Sequence, residues 1–510
     1  MTAPALVLRL DPSDPVGIAL ADLGPGTATG FDGILTRGDI PRGHKVALAS
    51  LAAGASVRKF GSFIGVAAKA IAPGDHVHTH NLAFRPSTAG RDAAPARRNA
   101  TEPLLTPSGA TFMGYVREDG RVGTRNVLLV LATVNCSATV ARRIAETFRR
   151  EVDLSAYPNL DGVVALTHQH GCSFRADGPG MAILRRTLSG YARHPNVAGV
   201  LVVGLGCEDN QVDEFMASAG LVASRRLVAL VIQQEGGTAA TVAAGVSALK
   251  GMLPRAAAAE RTRVSAAHLK VGLQCGGSDG FSALSANPAL GLAVDRLVTE
   301  GGTAILSETP EIYGAERLLI ERAASDEIAA KLRNLLSWWE DHAKLDLGTL
   351  DNNPSSGNKQ GGITTILEKS LGAVSKGGST ALQAVYAYAE PIVLPGLVFM
   401  DSPGYDPVSA TGQVASGANL ICFTTGRGSC FGCAPVPSLK IATNTPLFQR
   451  MVGDMDVNAG GILDGLSSHQ NIGDQIFQLM LDTASGHRTA SERLGYGEEE
   501  FIPWSQGLTY

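Results

Sequence analysis

The stretch NVLLVLATVNCSATVARRIAETFRREV, residues 126–152, decides the fold class. A continuous apolar run is followed by a segment whose apolar residues recur every three or four positions, as in a buried strand that leads into an amphipathic helix. The same alternation starts again at GVVALTH (162–168), VAGVLVVGLG (197–206) and LKVGLQC (269–275). Repeated strand–helix units predict an α/β body with mostly parallel sheets.

Different patterns flank these units and divide the chain. Residues 1–85 contain short alternating segments separated by turn-rich stretches, which predicts a small β-rich domain. Residues 86–111 are rich in Pro, Ala and charge without apolar periodicity, and we interpret them as a linker. The remainder is predicted to form two α/β domains, 112–265 and 266–510, with one long helix at about 315–344 in the second.

Composition excludes several classes of protein. A chain of 510 residues with 45% hydrophobic content has room for roughly three packed domains and is not disordered. The formal net charge of −4 provides no basic field for nucleic acid or anionic membrane, and no apolar run is long enough to cross a bilayer. Seven cysteines, an odd number without secreted-scaffold spacing, indicate free thiols. We therefore expect a soluble, cytoplasmic protein.

Four of the cysteines share one sequence context, because each follows a strand candidate. In a parallel sheet the carboxyl ends of the strands meet at one edge, where open α/β sheets build their ligand sites. Clustered thiolates select iron, zinc or an iron–sulfur cluster, although a single free cysteine is more often a small buried hydrophobe. The sequence thus predicts a metal site from some of Cys136, Cys172, Cys207 and Cys275.

Histidines mark two further segments. On a strand, His76, His78 and His80 would present three imidazoles on one face, which suits a metal or a polyanionic ligand; a solvated strand face is the alternative. His44 and Lys45 add to a carboxylate-binding rim in the same domain. In the second domain, His168 and His170 lie between a strand candidate and Cys172, and either one is a candidate acid, base or ligand.

Glycine-rich turns that carry polar residues occur in the third domain. Glycines at 276–280 (GGSDG), 357–362 and 426–428 let backbone N–H groups approach an anion closely. Lys359 and Arg427, within two of these turns, are candidates to pair with carboxylates. GGSDG also fits the G-x-S-x-G elbow, so a serine hydrolase that uses Ser278 is an alternative function.

Taken together, these segments resemble the altronate/galactarate dehydratase family of sugar-acid hydro-lyases, with its sulfolactate sulfo-lyase relatives. The resemblance runs from the first domain into the third. The segment 427–440 differs from the TPYG-like sequence that follows TTGRG in the altronate and galactarate branches, so the resemblance does not specify one sugar acid. The matching stretches include GHKVAL (43–48), HVHTHN (76–81), TVNCS (133–137), HQHGCS (168–173), GLGCEDNQ (204–211), QCGGSDGFSALSANPALG (274–291), SETPEIYGAE (307–316), NPSSGNKQGGITTILEKSLG (353–372) and TTGRGS (424–429).

The resemblance implies a fold and a reaction. A small N-terminal β-clip domain, called SAF, is expected to be joined to a two-part α/β body. The reaction is expected to be metal-assisted β-elimination of water from an aldonate or aldarate such as altronate, giving a 2-keto-3-deoxy acid. The cofactor is expected to be iron, as Fe²⁺ or an iron–sulfur cluster, with another divalent cation as an alternative. A homodimer or higher homo-oligomer is also expected.

The resemblance and the residue patterns together give each candidate a role. The metal is expected on some of the four cysteines, with His78 and His80 brought over it by the small domain. His44, His168 and Glu308 remain open as the general base, and Lys359 belongs with the catalytic residues. A non-catalytic sugar-acid binding protein is the third function considered. The predicted substrate-binding residues are Lys45, Asn135, Ser278, Asp279 and Arg427.

Overall fold

The computed structural model describes residues 6–86, 105–345 and 348–506. Most of the predicted linker, residues 87–104, therefore lies outside the described residues. In the described part of the chain, the strands β1–β21 are Val7–Leu8, Val16–Ala19, Lys45–Ala47, Ser56–Lys59, Ser62–Ala67, His76–Val77, Leu82–Ala83, Thr111–Val116, Val122–Gly123, Val127–Ala132, Gly162–Leu166, Val197–Gly204, Leu227–Val231, Thr262–Ser265, Lys270–Cys275, Thr303–Leu306, Leu382–Tyr386, Gly396–Met400, Leu420–Thr425, Ser438–Ala442 and Val457–Asn458. The helices α1–α13 are Ala138–Glu151, Pro179–Ala192, Val212–Ser218, Thr238–Ala257, Ala286–Thr299, Arg317–Ile320, Asp326–Leu345, Ser356–Gln360, Ile366–Ser375, Asp406–Ala415, Thr445–Arg450, His469–Ala484 and Ala490–Leu494.

The N-terminal domain consists of two small antiparallel sheets, with strand orders β1-β2-β3-β6 and β4-β5-β7. Val57 and Ile64, on the paired strands β4 and β5, are fully buried in the core, and the residues on either side of Val57 are exposed. This inside–outside alternation is what the sequence pattern predicts for a half-buried strand. The expected β-rich domain is confirmed.

The middle domain is built on a four-stranded parallel sheet of order β11-β10-β12-β13. Helices α1 and α4 cover one face, where Ile144 and Leu249 are buried against the strands. Helices α2 and α3 cover the other face with Leu184 and Phe215, in a hydrophobic core that continues into the C-terminal domain. The two parts of the body therefore share one core.

The C-terminal domain contains a seven-stranded, fully parallel sheet of order β17-β18-β16-β15-β19-β20-β21. Helices α5 and α12 pack together on one face, and α10 packs on the other, where it also contacts α2. The α/β body with mostly parallel sheets is thus confirmed.

One predicted element is wrong, because the helix expected at 315–344 is two helices, α6 and α7. Between them the backbone follows the sheet edge: Ala323 forms a parallel bridge to Leu382, and the amide of Ala324 donates to the carbonyl of Leu382 at 2.9 Å. The Ser325 hydroxyl then accepts the amide of Ile328 at 3.3 Å, which starts the second helix. Apolar periodicity carries no information about this edge contact.

A search of the described residues finds no helix that is both long and apolar enough to cross a membrane.

Candidate active site

The candidate site lies at the carboxyl edge of the seven-stranded sheet, at the point where the strand order reverses. Strand β15 continues to β16 on one side, while β19 lies on its other side. Loops that leave two such strands diverge and open a crevice, the usual ligand site of an open α/β sheet. Here those loops are residues 276–280 after β15 and 426–428 after β19, and the amide of Arg427 donates to the carbonyl of Gly277 at 2.9 Å.

Glycines bring four loops into contact at this crevice. A Cβ on Gly280 would lie 2.1 Å from the carbonyl oxygen of Gly43 in the N-terminal domain, and one on Gly362 would lie 2.3 Å from the same atom. A Cβ on Gly426 would lie 2.1 Å from the Asp279 carboxyl carbon. Because real Cβ contacts are never this short, only glycine allows this approach. The glycine-rich turns found in the sequence therefore meet in space, under the N-terminal domain.

Asp279 fixes the loop after β15. Its buried carboxylate accepts hydrogen bonds from the hydroxyls of Ser282 and Thr443 and from the side-chain amide of Asn444, each at 3.1 Å. Burial raises the pKa of Asp279, and the hydrogen bonds to its carboxylate oppose that shift. The adjacent Ser278 has a buried Oγ without a hydrogen-bond partner among the described residues. Asp279 thus holds the loop, while the hydroxyl of Ser278 remains free to bind a ligand.

Three histidines of the N-terminal domain form an imidazole cluster at the same interface. Each of His44, His76 and His78 offers a ring nitrogen, and these nitrogens all lie within 4.8 Å of one another. The register of β3 against β6 explains the proximity, because Val46 pairs with His76 and Lys45 with Val77. Nδ1 of His44 is 3.0 Å from Nε2 of His76, and Nδ1 of His78 is buried without a partner in the described structure.

Burial keeps these imidazoles neutral. It lowers the pKa of His76 to about 4 and of His78 to about 3, and it also lowers the pKa of His44. Neutral imidazole is the form that binds a metal ion. The cluster is therefore in the protonation state that a divalent metal needs.

The strand predicted over 76–80 is wrong beyond Val77. Asn81 folds the chain back, since its Oδ1 accepts the amide of His78 and its Nδ2 donates to the carbonyl of His76, both at 2.9 Å. Such side-chain bonds to the backbone favour a turn over a strand. The His80 ring still lies 5.4 Å from that of His76 between centroids, but it is exposed and outside the cluster.

Arg427, a predicted carboxylate-binding residue, lies at the mouth of the crevice. The guanidinium of Arg427, which is exposed, donates to Oε1 of Gln360 at 3.1 Å. The backbone carbonyl of Gln360 lies 3.0 Å from Nε2 of His44. Lys359 is half-buried on the adjacent short helix α8. Arg427 is therefore linked through Gln360 to the imidazole cluster, and Lys359 precedes Gln360 in the chain.

Lys45 has a different setting from the one expected. Its ammonium is fully buried and donates to the carboxylate of Glu368 at 2.8 Å and to the carbonyl of Gly362 at 2.7 Å. Lys59 binds the other carboxylate oxygen of Glu368 at 2.7 Å. The structure thus gives Lys45 a domain-docking contact, and its binding of substrate stays a prediction.

Beneath the loops lies a group of ionisable side chains that we call the interior cluster: the buried Cys275, Glu308, Glu311, Lys369 and Lys376, and the half-buried Asp406. Ligand atoms of Cys275, Glu308 and Glu311 lie within 4.8 Å of one another. The ammonium of Lys376 donates to Sγ of Cys275 at 2.9 Å, and that of Lys369 to Glu311 at 2.7 Å. A space of about 10 Å³, enough for roughly one water molecule, connects this cluster to Ser278 and Glu368.

Glu308 is the unusual member of the interior cluster. Both of its carboxylate oxygens are buried without a hydrogen-bond partner in the described residues, and its φ of 69° is rare for a non-glycine residue. Burial and the charges of Glu311 and Asp406 raise its pKa well above the usual range. Burial and Glu311 also raise the pKa of Asp406, to about 6. A carboxyl group with a pKa near 6, as in Asp406, can exchange protons close to neutral pH.

The four predicted metal-binding cysteines fall on two sheets. Cys136, Cys172 and Cys207 are exposed in loops that follow the adjacent strands β10, β11 and β12, as the sequence predicts. The amide of Asp209 donates to the carbonyl of Cys172 at 2.8 Å, which joins two of these loops. Cys275 instead ends β15 and belongs to the interior cluster. Among the described residues, no three of these four sulfur atoms lie within 4.8 Å of one another.

The loops that carry Cys136, Cys172 and Cys207 are called the thiol loops below. The remaining predicted residues of the middle domain lie beside them. Asn135 donates from its side-chain amide to the carbonyl of His168 at 3.0 Å and to Oε1 of Gln169 at 3.2 Å. His168 is fully buried, and burial lowers its pKa to about 3. Both ring nitrogens of the neighbouring His170 are buried without partners among the described residues. Neutral imidazoles and exposed thiols thus share the carboxyl edge of the middle sheet.

The chain is similar to known proteins along almost its whole length. Family models for D-galactarate and altronate dehydratases match in three successive parts: the SAF domain at residues 5–85, the second domain at 114–257 and the C-terminal domain at 266–509. An altronate dehydratase of Escherichia coli (strain K12) is 35% identical over 493 residues, which cover 96% of this chain and 97% of that protein. The chain belongs to the galactarate/altronate dehydratase family.

Other relatives show how far the similarity extends. A galactarate dehydratase (L-threo-forming) of Escherichia coli (strain K12) is 36% identical over 504 residues, which cover 97% of this chain and 96% of that dehydratase. The beta subunit of a (2R)-sulfolactate sulfo-lyase from Chromohalobacter salexigens is 33% identical over 398 residues, covering 76% of this chain and 96% of that subunit. The predicted family and the N-terminal SAF domain are confirmed.

Sequence reasoning missed part of the site in this family member. Glu368 and Lys369 are adjacent on α9, where Glu368 binds lysines of the SAF domain and Lys369 binds Glu311. A signal was present, because ILEKSLGAVS places two charges in an otherwise apolar helix that is largely buried. The residues of the site that the sequence did not single out as functional are Glu311, Glu368, Lys369, Lys376 and Asp406.

Proposed function

We propose that this chain removes water from a sugar acid, an aldonate or aldarate such as altronate, and releases a 2-keto-3-deoxy acid. The names of its relatives support this class of reaction. The observation that carries the proposal is the crevice itself, in which a neutral imidazole cluster faces glycine-rich loops, with Arg427 at its mouth. A polyhydroxy carboxylate needs cations for its carboxylate and donors for its hydroxyls, and this crevice offers both.

The chemistry requires two proton transfers. A base removes the hydrogen on the carbon next to the carboxylate, and the resulting enediolate is stabilised by nearby positive charge. The hydroxyl on the next carbon leaves as water after it takes up a proton. The enol that remains tautomerises to the 2-keto acid, so that no oxidant or reductant is consumed.

Glu308 is the best supported of the three candidate proton-transfer residues. Its unpartnered carboxyl oxygens and raised pKa fit a group that exchanges a proton with substrate or water. His44 is the second candidate, at the crevice but in contact with His76. His168 belongs to the thiol loops of the other sheet and is the least favoured. Substitution of each in turn, with pH profiles of kcat and kcat/KM, assigns the role, since loss of a proton-transfer group removes one limb of the profile.

An iron cofactor is part of the proposal, and the imidazole cluster fits a divalent ion. The separation of 3.0 Å between nitrogens of His44 and His76 is what two neighbouring ligands of one metal ion require, and the unpartnered Nδ1 of His78 offers a third. A divalent metal bound there would act as a Lewis acid towards carboxylate and hydroxyl oxygens. His44, His76 and His78 would hold it, and Arg427 with Lys359 would orient the substrate beside it.

The thiol loops offer a second donor set. A mononuclear ion on three thiolates needs sulfur atoms about 4 Å apart, closer than these three are grouped. An iron–sulfur cluster, whose thiolates bind different irons, tolerates wider spacing and uses cysteine ligands. We therefore propose Fe²⁺ for the imidazole cluster and assign any iron–sulfur cluster to Cys136, Cys172 and Cys207.

The reaction is tested on protein purified without oxygen and reconstituted with iron. A panel of aldonates and aldarates is supplied, and release of 2-keto acid is followed. We expect turnover of at least one sugar acid, and slower turnover by Arg427→Ala when that substrate is well below saturation. Binding of sugar acids without release of any 2-keto acid would instead favour the non-catalytic binding protein and overturn the proposal.

Metal analysis and acid-labile sulfide determination test the two donor sets separately. His78→Ala is expected to lose Fe²⁺ while His80→Ala, the matched control outside the cluster, keeps it. Cys172→Ser is expected to lose any acid-labile sulfide, whereas Cys430→Ser, an exposed cysteine elsewhere, retains it. Full iron content in both His78→Ala and Cys172→Ser would refute both assignments.

The serine hydrolase alternative lacks geometric support. A nucleophilic serine needs a histidine within hydrogen-bonding distance, but Oγ of Ser278 has no partner among the described residues. Among the histidines that follow Ser278 in the chain, the ring of His469 lies 2.7 Å from the carbonyl of Leu284, and His342 stacks on Trp338.

Location and assembly are also proposals. Seven free cysteines, several of them exposed, fit the reducing cytoplasm. A homodimer or higher homo-oligomer stays a prediction that light scattering of the purified protein tests directly.

A further inference from the structure

A large cleft lies between the middle and C-terminal domains, at the amino ends of their parallel strands. It therefore occupies the opposite edge of the body from the candidate active site. Its volume is about 930 Å³, and its walls include Arg226 just before β13, Lys270 at the start of β15 and the last two turns of α2. Nothing in the proposed reaction uses this cleft.

The cleft is strongly positive although the chain as a whole has a net charge of −4. Five arginine and lysine side chains line it, against one carboxylate. That carboxylate, Asp119, already forms an ion pair with Arg121 at 2.6 Å. The cations left without a carboxylate partner in the described part of the chain are Arg186, Arg193, Arg226 and Lys270.

Most of these cations use only backbone oxygens as partners. Nζ of Lys270 donates to the carbonyl of Ile392 at 2.5 Å, and Nη2 of Arg226 donates to that of Val197 at 3.3 Å. Arg193 likewise donates to the carbonyl of Ala219. Nε of Arg186 is buried and has no hydrogen-bond partner in the described residues. Donors for a bound ligand thus remain available.

The cations also destabilise one another. Burial lowers the pKa of Lys270, and the charge of Arg121 lowers it further. Burial likewise lowers the pKa of Arg226; the charges of Arg255 and Arg121 add to this, against the opposing effects of Asp119 and Glu118. Glu390 likewise opposes the effect of burial on the pKa of Arg186, so carboxylates compensate these charges only in part. Half-buried positive charges with incomplete compensation are costly, and an anion placed among them lowers that cost.

We propose that this cleft binds a small anion with two or more negative charges, carried by carboxylate or phosphate groups, that bridges the middle and C-terminal domains. The cleft has the size of small-molecule sites, roughly 300–1,000 Å³. Guanidinium groups bind both kinds of oxyanion through paired N–H donors. Arg186 and Arg226 hold the anion from the middle domain, and Lys270 holds it from the C-terminal domain.

Calorimetric titration of the full-length protein with citrate and with pyrophosphate tests the proposal, and the two probes separate a carboxylate from a phosphate ligand. We expect saturable binding of at least one probe at low salt, with a dissociation constant below about 1 mM. Arg226→Ala and Lys270→Met are each expected to weaken it about tenfold, which corresponds to about 1.4 kcal/mol. Arg143→Ala, an exposed arginine on α1 outside the cleft, is the matched control.

Melting temperatures of the unliganded variants establish that each one folds. Equal affinity in Arg226→Ala, Lys270→Met and Arg143→Ala would overturn the proposal, as would the absence of saturable binding of both probes. None of these residues belongs to the candidate active site, so the outcome is independent of sugar-acid turnover.

Discussion

Lys45 and Glu368 meet across the interface between the SAF and C-terminal domains, with Nζ and Oε2 2.8 Å apart and both side chains almost completely buried. Lys59 contacts the other carboxylate oxygen, so one carboxylate binds two lysines of the SAF domain. Burial alone would raise the pKa of Glu368, but the two ammonium groups lower it well below its usual range. This pairing holds the imidazole cluster over the crevice.

Removal of one partner from this pairing is expected to loosen the SAF domain. Lys45→Met leaves the buried carboxylate of Glu368 with fewer donors, and the free energy of unfolding should fall by about 3 kcal/mol. Chemical denaturation monitored by circular dichroism measures the change. Lys69→Met, an exposed lysine of the same domain, should have almost no effect. Equal stability of the two variants would contradict a docking role for Lys45.

The pairing also predicts a loss of stability in acid. The pKa of Glu368 is lower in the folded than in the unfolded protein, so its contribution is present above about pH 4.5 and is lost as the pH falls towards the folded value. In Glu368→Gln this part of the pH dependence should be absent. Unfolding measured in a pH series from neutral to about 3 compares the two proteins. Parallel curves for wild type and variant would count against the pairing.

The raised pKa of Asp406 predicts a pH dependence of the free energy of unfolding that has the opposite sign. Its pKa is raised to about 6 in the folded protein, so its contribution is present below the unfolded value near 4 and is lost as the pH rises through 6. Asp406→Asn should remove this loss and raise the free energy of unfolding at pH 7 by roughly 3 kcal/mol. The exposed Asp341→Asn is the control. A variant less stable than wild type at neutral pH would show that Asp406 makes a favourable ionic contact instead.

The close approach of Gly280 to Gly43 gives a steric prediction. In Gly280→Ala the new Cβ would lie 2.1 Å from the carbonyl oxygen of Gly43, so the SAF domain must shift. We expect a loss of about 1–3 kcal/mol in stability and a larger fractional loss of turnover. Gly24→Ala, in the same SAF domain but with no atom within 4 Å of its new Cβ, should leave both unchanged. Full turnover in Gly280→Ala would show that this contact does not shape the site.

Arg427 is expected to act through binding of the substrate carboxylate. Arg427→Ala should raise KM about tenfold or more, because a charge-assisted pair contributes about 1.5–3 kcal/mol. Arg450→Ala, another exposed arginine of the C-terminal domain, should keep the wild-type KM. Steady-state kinetics with the best sugar acid of the panel distinguishes the two. A fall in kcat with unchanged KM would assign Arg427 to the chemical step instead.

The sequence predicted the architecture well because strand–helix alternation and the position of polar residues after strands are local patterns. Cys275, Glu308 and the loop of Asp279 all follow strands, and all lie at the carboxyl edge. The partner of Cys275 could not be predicted in this way. Which strands lie side by side depends on the packing of the sheet, and Cys275 lies on a different sheet from the other three cysteines of that pattern.

Contacts of single side chains explain why the segment 76–80 and Lys45 differ from the expectation. The segment 76–80 has the alternation of a strand, yet the side chain of Asn81 provides hydrogen bonds that a β-ladder would otherwise supply. Lys45 was expected to bind substrate because a cation beside a histidine cluster is typical of such sites. The structure shows in addition that a buried carboxylate more than 300 residues away in sequence binds it, a contact that no local pattern predicts.

Helix α9 links the two halves of the site mechanically. Glu368 and Lys369 are consecutive residues, yet the first binds the SAF domain and the second binds Glu311 in the interior cluster. A rotation of this helix that released Glu368 from its lysines would also carry Lys369 away from Glu311. The position of the SAF domain over the crevice and the ion pair of Glu311 in the interior cluster therefore both depend on the orientation of this one helix.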